Sequence, residues 1–172
     1  MVDNMVKQDN LDGMFPRQKI SMKNKNKLWR EKCVDILVGK GDTQHFGYGY
    51  GTEKKEMLLV LDNLQDPGNL GTIFRTAEAA GVTGIILSKD SVDIYNPKVI
   101  RSTMGAIFRM PFVYVEKLTD TIEELKAHQI QVYAAHLDGK NAYDEECYLN
   151  GTAYLIGNEG NGLSSEISNM AD

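Results

Sequence analysis

The sequence predicts an α/β fold in which a parallel sheet is flanked by helices. From residue 57 onward, short apolar segments alternate with amphipathic ones, as they do when a crossover helix follows each strand. The strand segments are strongly apolar, which is typical of a parallel sheet covered by helices. No internal repeat or low-complexity tract interrupts this order.

Five strands and three helices make up the alternating region. The predicted strands are Met57–Leu61, Gly84–Leu87, Phe112–Val115, Val132–Ala135 and Ala153–Ile156. The predicted helices are Leu70–Ala80, Pro97–Met104 and Thr121–His128. Asn69 is expected to be the N-cap of the first helix, since it follows a Pro-Gly turn. Asp120 and Glu123 are expected to form a capping box for the third.

Residues 1–56 are expected to form an arm and a linker, because a chain of 172 residues holds one core more readily than two. The arm concentrates basic side chains, namely Arg17, Lys19, Lys23, Lys25, Lys27, Arg30 and Lys32. Either a solvated tail or an RNA contact would explain this charge. Lys27–Val38 is predicted as an amphipathic helix. The Gly-rich residues 41–56 form either a plain spacer or one whose Phe46, Tyr48 and Tyr50 stack on bases.

Composition excludes several classes of protein. The net charge of -5 argues against a protein that coats nucleic acid, although the basic arm precedes a more acidic body. No apolar run approaches the ~20 residues of a membrane span, and the start lacks a signal-peptide core, so we expect a cytoplasmic protein. Cys33 and Cys147 lack metal-ligand spacing and are expected to be reduced thiols. No metal is predicted.

Two segments carry the chemical information. The first, Asp66–Gly81, runs from a turn into a helix whose apolar face leaves Arg75 outside it, so Arg75 should meet something polar. The second, Gly157–Gly162, is a glycine-rich turn that encloses Glu159 and opens toward a helix start at Ser164 or Ser165. Neither segment is a dinucleotide fingerprint or a P-loop. Taken alone, Arg75 could equally be a solvated helix charge.

The turns that follow the first, fourth and fifth strands should gather at one edge, because ligands of open α/β sheets sit beyond the carboxyl ends of the strands. Three groups of residues would then meet at this edge: Asn69, the turn that begins with Ala134, Ala135 and His136, and the turn from Gly157 to Gly160.

From Met57 to Leu163 the chain resembles the SpoU or TrmH branch of the SPOUT RNA methyltransferases. The matching residues are Asn69, Gly71 and Arg75 in the first motif and Gly157, Glu159, Gly160 and Gly162 in the second. Asp93–Val99 and Arg101–Ala106 also look like this family. The resemblance implies a trefoil-knot fold, S-adenosylmethionine as cofactor, a ribose 2′-hydroxyl of rRNA or tRNA as methyl acceptor, and a homodimer.

The resemblance also implies roles for individual residues. Arg75 would be catalytic, either as a base, if its site made the guanidinium unusually acidic, or by polarising the hydroxyl and holding a phosphate. Asn69 and Glu159 would orient it, with Glu159 as its carboxylate partner. The alternative for Glu159 is to bind the amides of its own turn.

Further residues would hold the ligands. Those expected at the cofactor are Ala134, Ala135, His136, Gly157, Asn158 and Gly160. Those expected at RNA phosphate are Ser102, Thr103 and Arg109, for which a helix end and a surface charge are equally good explanations. His136 is expected as a pocket wall rather than an acid or base.

One departure from the family concerns the third motif, a Ser-Leu-Asn loop and closing helix, which the sequence does not reach before Asp172. The chain therefore looks cut short, and residues 1–172 alone are expected to be inactive. The alternative function is a non-catalytic RNA-binding or ribosome-assembly factor on the same fold.

Overall fold

The structure, a computed structural model, describes residues 55–136, 139, 142, 145, 146, 148 and 151–172. The basic arm, the predicted helix Lys27–Val38, most of the linker and both cysteines lie outside these residues. Predictions about them stay predictions.

A five-stranded parallel sheet forms the centre of the described chain, as the sequence predicts. Its strands are β1 (Met57–Leu61), β2 (Gly84–Ser88), β3 (Phe112–Val115), β4 (Gln131–Ala134) and β5 (Thr152–Ile156). They lie in the order β3-β2-β1-β5-β4, and each neighbouring pair is parallel. The apolar runs predict the bounds well, because β1 and β3 agree, β2 and β5 differ by one residue at one end, and β4 is shifted by one residue at both ends. The trefoil knot stays a prediction.

Helices cover both faces of the sheet. They are α1 (Pro67–Ala80), α2 (Pro97–Thr103), α3 (Leu118–Ala127) and α4 (Ser165–Ser168), and a 3-10 turn spans Ala106–Phe108. Helix α4 begins after Ser164, whose hydroxyl accepts a hydrogen bond from the amide of Ile167, so the predicted helix start is confirmed.

The predicted cap of α1 is wrong. The N-cap is Asp66, whose carboxylate accepts a hydrogen bond from the amide of Asn69 at 2.7 Å. Pro67 then occupies the first helical position, where its missing N–H costs nothing and its fixed φ suits a helix. Asn69 therefore lies inside the first turn, and its side chain is available for other contacts.

The predicted capping box of α3 is also wrong. The helix begins at Leu118, three residues earlier than expected, and its N-cap Lys117 makes no side-chain cap hydrogen bond. Asp120 instead lies in the first turn, where a negative charge favours the positive end of the helix dipole. Buried Leu118, Ile122 and Leu125 anchor this helix on the sheet.

The two faces of the sheet build two separate cores. Leu58, Val60 and Leu155 pack toward α3 and α4, whereas Leu61 and Leu87 pack toward α1 and α2. This division follows from the strand geometry, in which successive side chains point to opposite faces. Helices α1 and α2 therefore share one side of the sheet, next to the end of β1.

Helices α1 and α2 are held at very close range by Gly71 and Ser102. A Cβ atom placed on Gly71 would lie 2.5 Å from the Cβ of Ser102 and 2.7 Å from its carbonyl carbon. The single hydrogen of the Ser102 hydroxyl is shared between the carbonyl oxygen of Pro67, at 2.9 Å, and that of Val99, at 2.8 Å. The glycine of the first motif thus permits the contact, and the serine fixes it.

We expect Gly71→Ala to lower the free energy of unfolding by about 1–3 kcal/mol, the range typical of overpacking in a well-packed interior. The added methyl group meets backbone as well as side-chain atoms, so α2 has to move. Urea denaturation measures the change. Gly160→Ala is the control, because its Cβ would meet nothing nearer than the side-chain oxygen of Asn158 at 3.6 Å. Equal stability of the two variants would contradict the close contact.

Candidate active site

The loops that follow β1, β4 and β5 meet at one edge of the sheet, as the sequence predicts. Strand β5 lies between β1 and β4. Past the ends of the strands, the amide of Asp62 donates to Ile156 at 2.8 Å and that of Ala135 donates to Leu155 at 3.1 Å. The three loops therefore begin side by side.

Glu159 connects the loop of β5 to the start of α1. One carboxylate oxygen accepts from the amide of Asp66 at 3.0 Å and from the Asn69 side-chain amide at 3.4 Å. The other oxygen accepts from the amide of Gln65 at 3.2 Å. Desolvation by itself would raise the pKa of Glu159, but these hydrogen bonds and its own amide together hold that pKa below its ordinary value. The carboxylate is thus an ionised clamp between two loops.

Arg75 does not form the predicted ion pair with Glu159. Its Nη1 lies 3.2 Å from the sulfur of Met104, and its Nη2 lies 3.3 Å from the hydroxyl oxygen of Thr72. The sequence was therefore right that Glu159 and Asn69 come together, but wrong that Glu159 is the partner of Arg75. The alternative, in which Glu159 binds backbone amides, describes the structure better, although most of those amides belong to the β1 loop.

The glycine-rich turn is closed by Asn158. Its backbone pairs with Gly162 in both directions at 2.9 Å, and its side-chain oxygen accepts from the amides of Gly160 and Asn161. Its side-chain nitrogen donates to the carbonyl of Asn63 at 2.8 Å. The Asn158 side chain is thus engaged within the protein, so any contact between it and a cofactor would compete with these bonds.

The turn itself requires glycine at position 157, because the protein backbone leaves no room there for a side chain. A Cβ atom on Gly157 would overlap the backbone of Gly162 and Leu163. Around Gly162, by contrast, a Cβ atom would meet nothing within 4 Å, and at Gly160 it would make only an ordinary contact. Free space therefore lies beside the second half of the turn.

The remaining residues predicted at the cofactor lie at the end of β4. Ala134 is half-buried, whereas Ala135 and His136 are exposed. Since β4 and β5 are neighbours, these residues lie beside the glycine turn as the sequence predicts. Their binding role stays a prediction.

Of the residues predicted at RNA phosphate, each has a structural role. The Thr103 side chain is completely buried and donates to the carbonyl of Ile100 at 2.8 Å, which contradicts direct contact of this side chain with RNA. Ser102 bonds to α1 and α2, as described above. Arg109 forms a two-pronged ion pair with Glu78. That pair holds the pKa of Glu78 below its ordinary value, chiefly through the hydrogen bond from Arg109.

Three contributors to this site escape sequence reasoning. Asp62 accepts hydrogen bonds from the amide and hydroxyl of Ser164, at 3.1 and 2.9 Å, and so ties β1 to the start of α4. Thr72 and Met104 hold Arg75. Only Thr72 had a usable signal, because it lies three residues before Arg75 on the same helix face.

Two absences hold for the part of the chain that the structure describes. Within it, no group of three or more His, Cys, Asp or Glu side chains is arranged to hold a metal ion. Among the same residues, no helix has the length and apolar character needed to cross a membrane.

Three features of the described chain bear on its class: a parallel α/β sheet, a helix start held by Glu159, and a glycine-rich turn at the same edge of the sheet. The chain belongs to the SpoU rRNA methylase family, whose sequence profile matches residues 56–172. This finding confirms the family resemblance drawn from the two motifs.

Individual relatives agree with this assignment. The chain is 37% identical over 115 residues to the 23S rRNA (guanosine(2553)-2′-O)-methyltransferase RlmP of Bacillus subtilis, a match covering 67% of this chain and 46% of that protein. It is 39% identical to an AdoMet-bound rRNA methyltransferase from Sinorhizobium meliloti, with a TM-score of 0.64 over 69% of this chain and 46% of the other. The SpoU methyltransferase AviRb from Streptomyces viridochromogenes, solved with AdoMet, gives 28% identity and a TM-score of 0.65 over 71% and 48%. The chain thus spans less than half the length of these relatives.

We expect the stability contributed by Glu159 to depend on pH. Its folded pKa lies below the ordinary value of 4.5, so its contribution is complete above that value and is lost as the pH falls through the folded pKa. The difference in unfolding free energy between the wild type and Glu159→Gln should be constant near neutral pH and should shrink below pH 4.5. Urea titrations at several pH values measure it, with Glu166→Gln as the control for an exposed glutamate on α4. A difference that grows on acidification would contradict the clamp.

Proposed function

We propose that the protein transfers a methyl group from S-adenosylmethionine to a ribose 2′-hydroxyl of rRNA or tRNA. The observation that carries this proposal is that Asn69 and Glu159 meet at the loop cluster, while Arg75 is exposed further along α1, the helix that begins there. The relatives support it, because RlmP is named as a 2′-O-methyltransferase and two similar structures hold AdoMet. We also propose that the protein is cytoplasmic, because that is where it would meet rRNA or tRNA.

The loop cluster fits the cofactor. The ends of β4 and β5 lie side by side, the alanines there are small, and open space lies beside Gly160 and Gly162. Ala134, Ala135 and His136 would hold the cofactor from one side, and Gly157, Asn158 and Gly160 would hold it from the other through their backbone, since the Asn158 side chain is already engaged. The bound cofactor would supply a methyl group on a positively charged sulfur, which leaves as a neutral thioether.

Arg75 would act on the acceptor nucleotide. Its side chain is exposed, and its described partners are the uncharged Met104 and Thr72, so its positive charge is not cancelled by a carboxylate. A guanidinium carries five N–H donors in a planar fork that suits phosphate or a developing alkoxide. Arg75 would therefore hold the nucleotide and stabilise the 2′-oxygen as that oxygen bonds to the methyl group, the sulfur leaves and the hydroxyl proton passes to water.

Asn69 and Glu159 would act by keeping α1 in place. Through Glu159, the β5 loop fixes the start of α1. Arg75 lies on the same helix, about two turns further along. A reacting arrangement needs its groups held within a fraction of an ångström. On this view Glu159 supports catalysis through loop geometry rather than through a direct bond to Arg75.

Removing the guanidinium should abolish most of the activity. In the full-length protein, we expect Arg75→Ala to lower methyl transfer by at least ~100-fold, the scale of a lost acid-base or electrostatic group. Arg75→Lys should restore little, because an ammonium cannot reproduce the planar fork. Transfer is measured with radiolabelled S-adenosylmethionine and bulk rRNA or tRNA, and cofactor affinity is measured by calorimetry.

Lys126→Ala is the matched control, because its charge pairs with Asp172 on the opposite face of the sheet. Its methyl transfer should stay near that of the wild type. Transfer within a few-fold of wild type for Arg75→Ala would remove Arg75 from the mechanism. A wild-type protein that binds RNA without S-adenosylmethionine would instead indicate the non-catalytic RNA-binding or assembly role.

We further propose that the active protein is a homodimer, as the family resemblance implies. An apolar groove of about 280 Å³ lies beside α1 and the first residues of β1. It is lined by Met57, Leu59, Thr72, Ile73, Thr76, Ala77, Ala80, Val82 and Ile156. Half-exposed apolar side chains in such a groove are stabilised when a second copy of the chain covers them.

A charge placed in this groove should weaken the dimer. We expect Ile73→Glu to raise the dimer dissociation constant at least ~10-fold, since burying an unpaired carboxylate costs well over 1.4 kcal/mol. Sedimentation equilibrium measures the constant. Ala79→Glu serves as the control, because Ala79 is exposed on the same helix but does not line the groove. A monomeric wild type, or equal effects of both variants, would argue against this interface.

A further inference from the structure

We propose that Met104 is a positioning residue for Arg75, and that it holds the guanidinium while leaving its positive charge available to the nucleotide. This inference rests on the proposed function, in which Arg75 binds the acceptor. It concerns a residue outside the loop cluster, since Met104 ends α2 and reaches α1 across the surface.

The first observation is the contact between the two side chains. The Nη1 of Arg75 lies 3.2 Å from the sulfur of Met104, between residues 29 positions apart in the sequence. On the other side, Nη2 lies 3.3 Å from the hydroxyl oxygen of Thr72, which itself donates to the carbonyl of Gly68 at 3.0 Å. The guanidinium is therefore held from two sides by neutral acceptors.

The second observation is the unusual backbone of Met104. Its φ is 49° and its ψ is 36°, a left-handed conformation that a long side chain rarely adopts and that Gly or Asn would fill more easily. The residue is 74% exposed, so burial of apolar surface does not explain a methionine here. A strained conformation that persists without a packing reason indicates a functional constraint.

The third observation is how firmly the carrier of Met104 is fixed. Two residues earlier, Ser102 bonds α2 to the carbonyl of Pro67, and Gly71 lets the helix axes approach. The backbone of Met104 is thus held close to α1, the helix that carries Arg75.

The choice of acceptor decides what Arg75 can do. A thioether is a weak, uncharged acceptor, whereas a carboxylate would bind the guanidinium in two-pronged fashion and cancel its charge. Arg109 shows the second case, because Glu78 pairs with it. Two of the five donors of Arg75 are used by Met104 and Thr72 in the described chain, so three remain for a nucleotide.

Three substitutions test the proposal in the full-length protein. Met104→Leu keeps the volume but removes the acceptor, and should lower kcat for methyl transfer about 5- to 20-fold with unchanged affinity for S-adenosylmethionine. Met104→Gln supplies a neutral acceptor and should restore kcat to within ~3-fold of wild type. Met104→Glu should lower transfer to about the level of Arg75→Ala, because a carboxylate neutralises the guanidinium.

Two controls separate positioning from other effects. Phe108→Glu places a carboxylate on an exposed residue of the neighbouring 3-10 turn, and should change transfer much less than Met104→Glu does. In an Arg75→Ala background, Met104→Leu should have less than a ~2-fold further effect, since two residues that act through one contact are not additive. Equal effects of Met104→Glu and Phe108→Glu would overturn the proposal, and so would an undiminished effect of Met104→Leu without Arg75.

A readout independent of activity separates this proposal from the proposed function. Nitrogen NMR of the arginine side chains should show Arg75 resonances that shift selectively in Met104→Leu. If the wild type transfers no methyl group but this shift occurs, the proposed function fails while the Met104 contact stands. If the wild type is active but the Arg75 resonances and kcat are unchanged in Met104→Leu, the proposal fails while the function stands.

Discussion

The carboxylate of Glu159 is the interaction on which the site depends. It follows β5 in the sequence, yet it accepts hydrogen bonds from backbone amides at the turn that follows β1. Parallel strands deliver their carboxyl ends to one edge but do not fix the loops beyond them. One ionised side chain supplies this link, because it accepts hydrogen bonds from the amides of Gln65 and Asp66 and so sets the distance between the two loops.

Two contacts, the Glu159 clamp and the contact between α1 and α2, together determine the position of Arg75. Glu159 and Asp66 determine where α1 begins, and Gly71 with Ser102 determines how closely α2 approaches it. Arg75 lies on α1 beyond both contacts, so its position follows from two loops and one helix pair. This arrangement explains how an exposed arginine can be oriented when no carboxylate among the described residues binds it.

Much of the fold could be predicted from the sequence, because strongly apolar runs separated by turns leave few alternatives for the sheet. The residues at which helices begin were harder to predict. Asp66 and Asn69 are both good caps, and only the preference of Pro67 for the first helical position decides between them. At α3, burial of Leu118 outweighs the local capping signal of Asp120.

The site was predictable to the extent that residues near in sequence determine it. Asn69, Glu159 and Arg75 were recognised from two motifs, and so was the meeting of Asn69 with Glu159, but the partners of Arg75 were not. The Met104 contact joins residues 29 positions apart, and the Asp62 contact with Ser164 joins residues 102 positions apart. Such pairs depend on which loops approach one another. The burial of Thr103 was invisible for the same reason, since a hydroxyl residue on a short helix gives no sign of which side faces the core.

Gly71 has a consequence for how this chain can change over generations. Part of the obstruction to a larger side chain is the carbonyl carbon of residue 102, which every amino acid possesses. No substitution at residue 102 can therefore make room for a side chain at residue 71. A substitution of Gly71 cannot be compensated by a second substitution at that position. The glycine is enforced by backbone geometry rather than by chemistry, so it would be retained for as long as the two helices remained in contact, whether or not the site carried out any reaction.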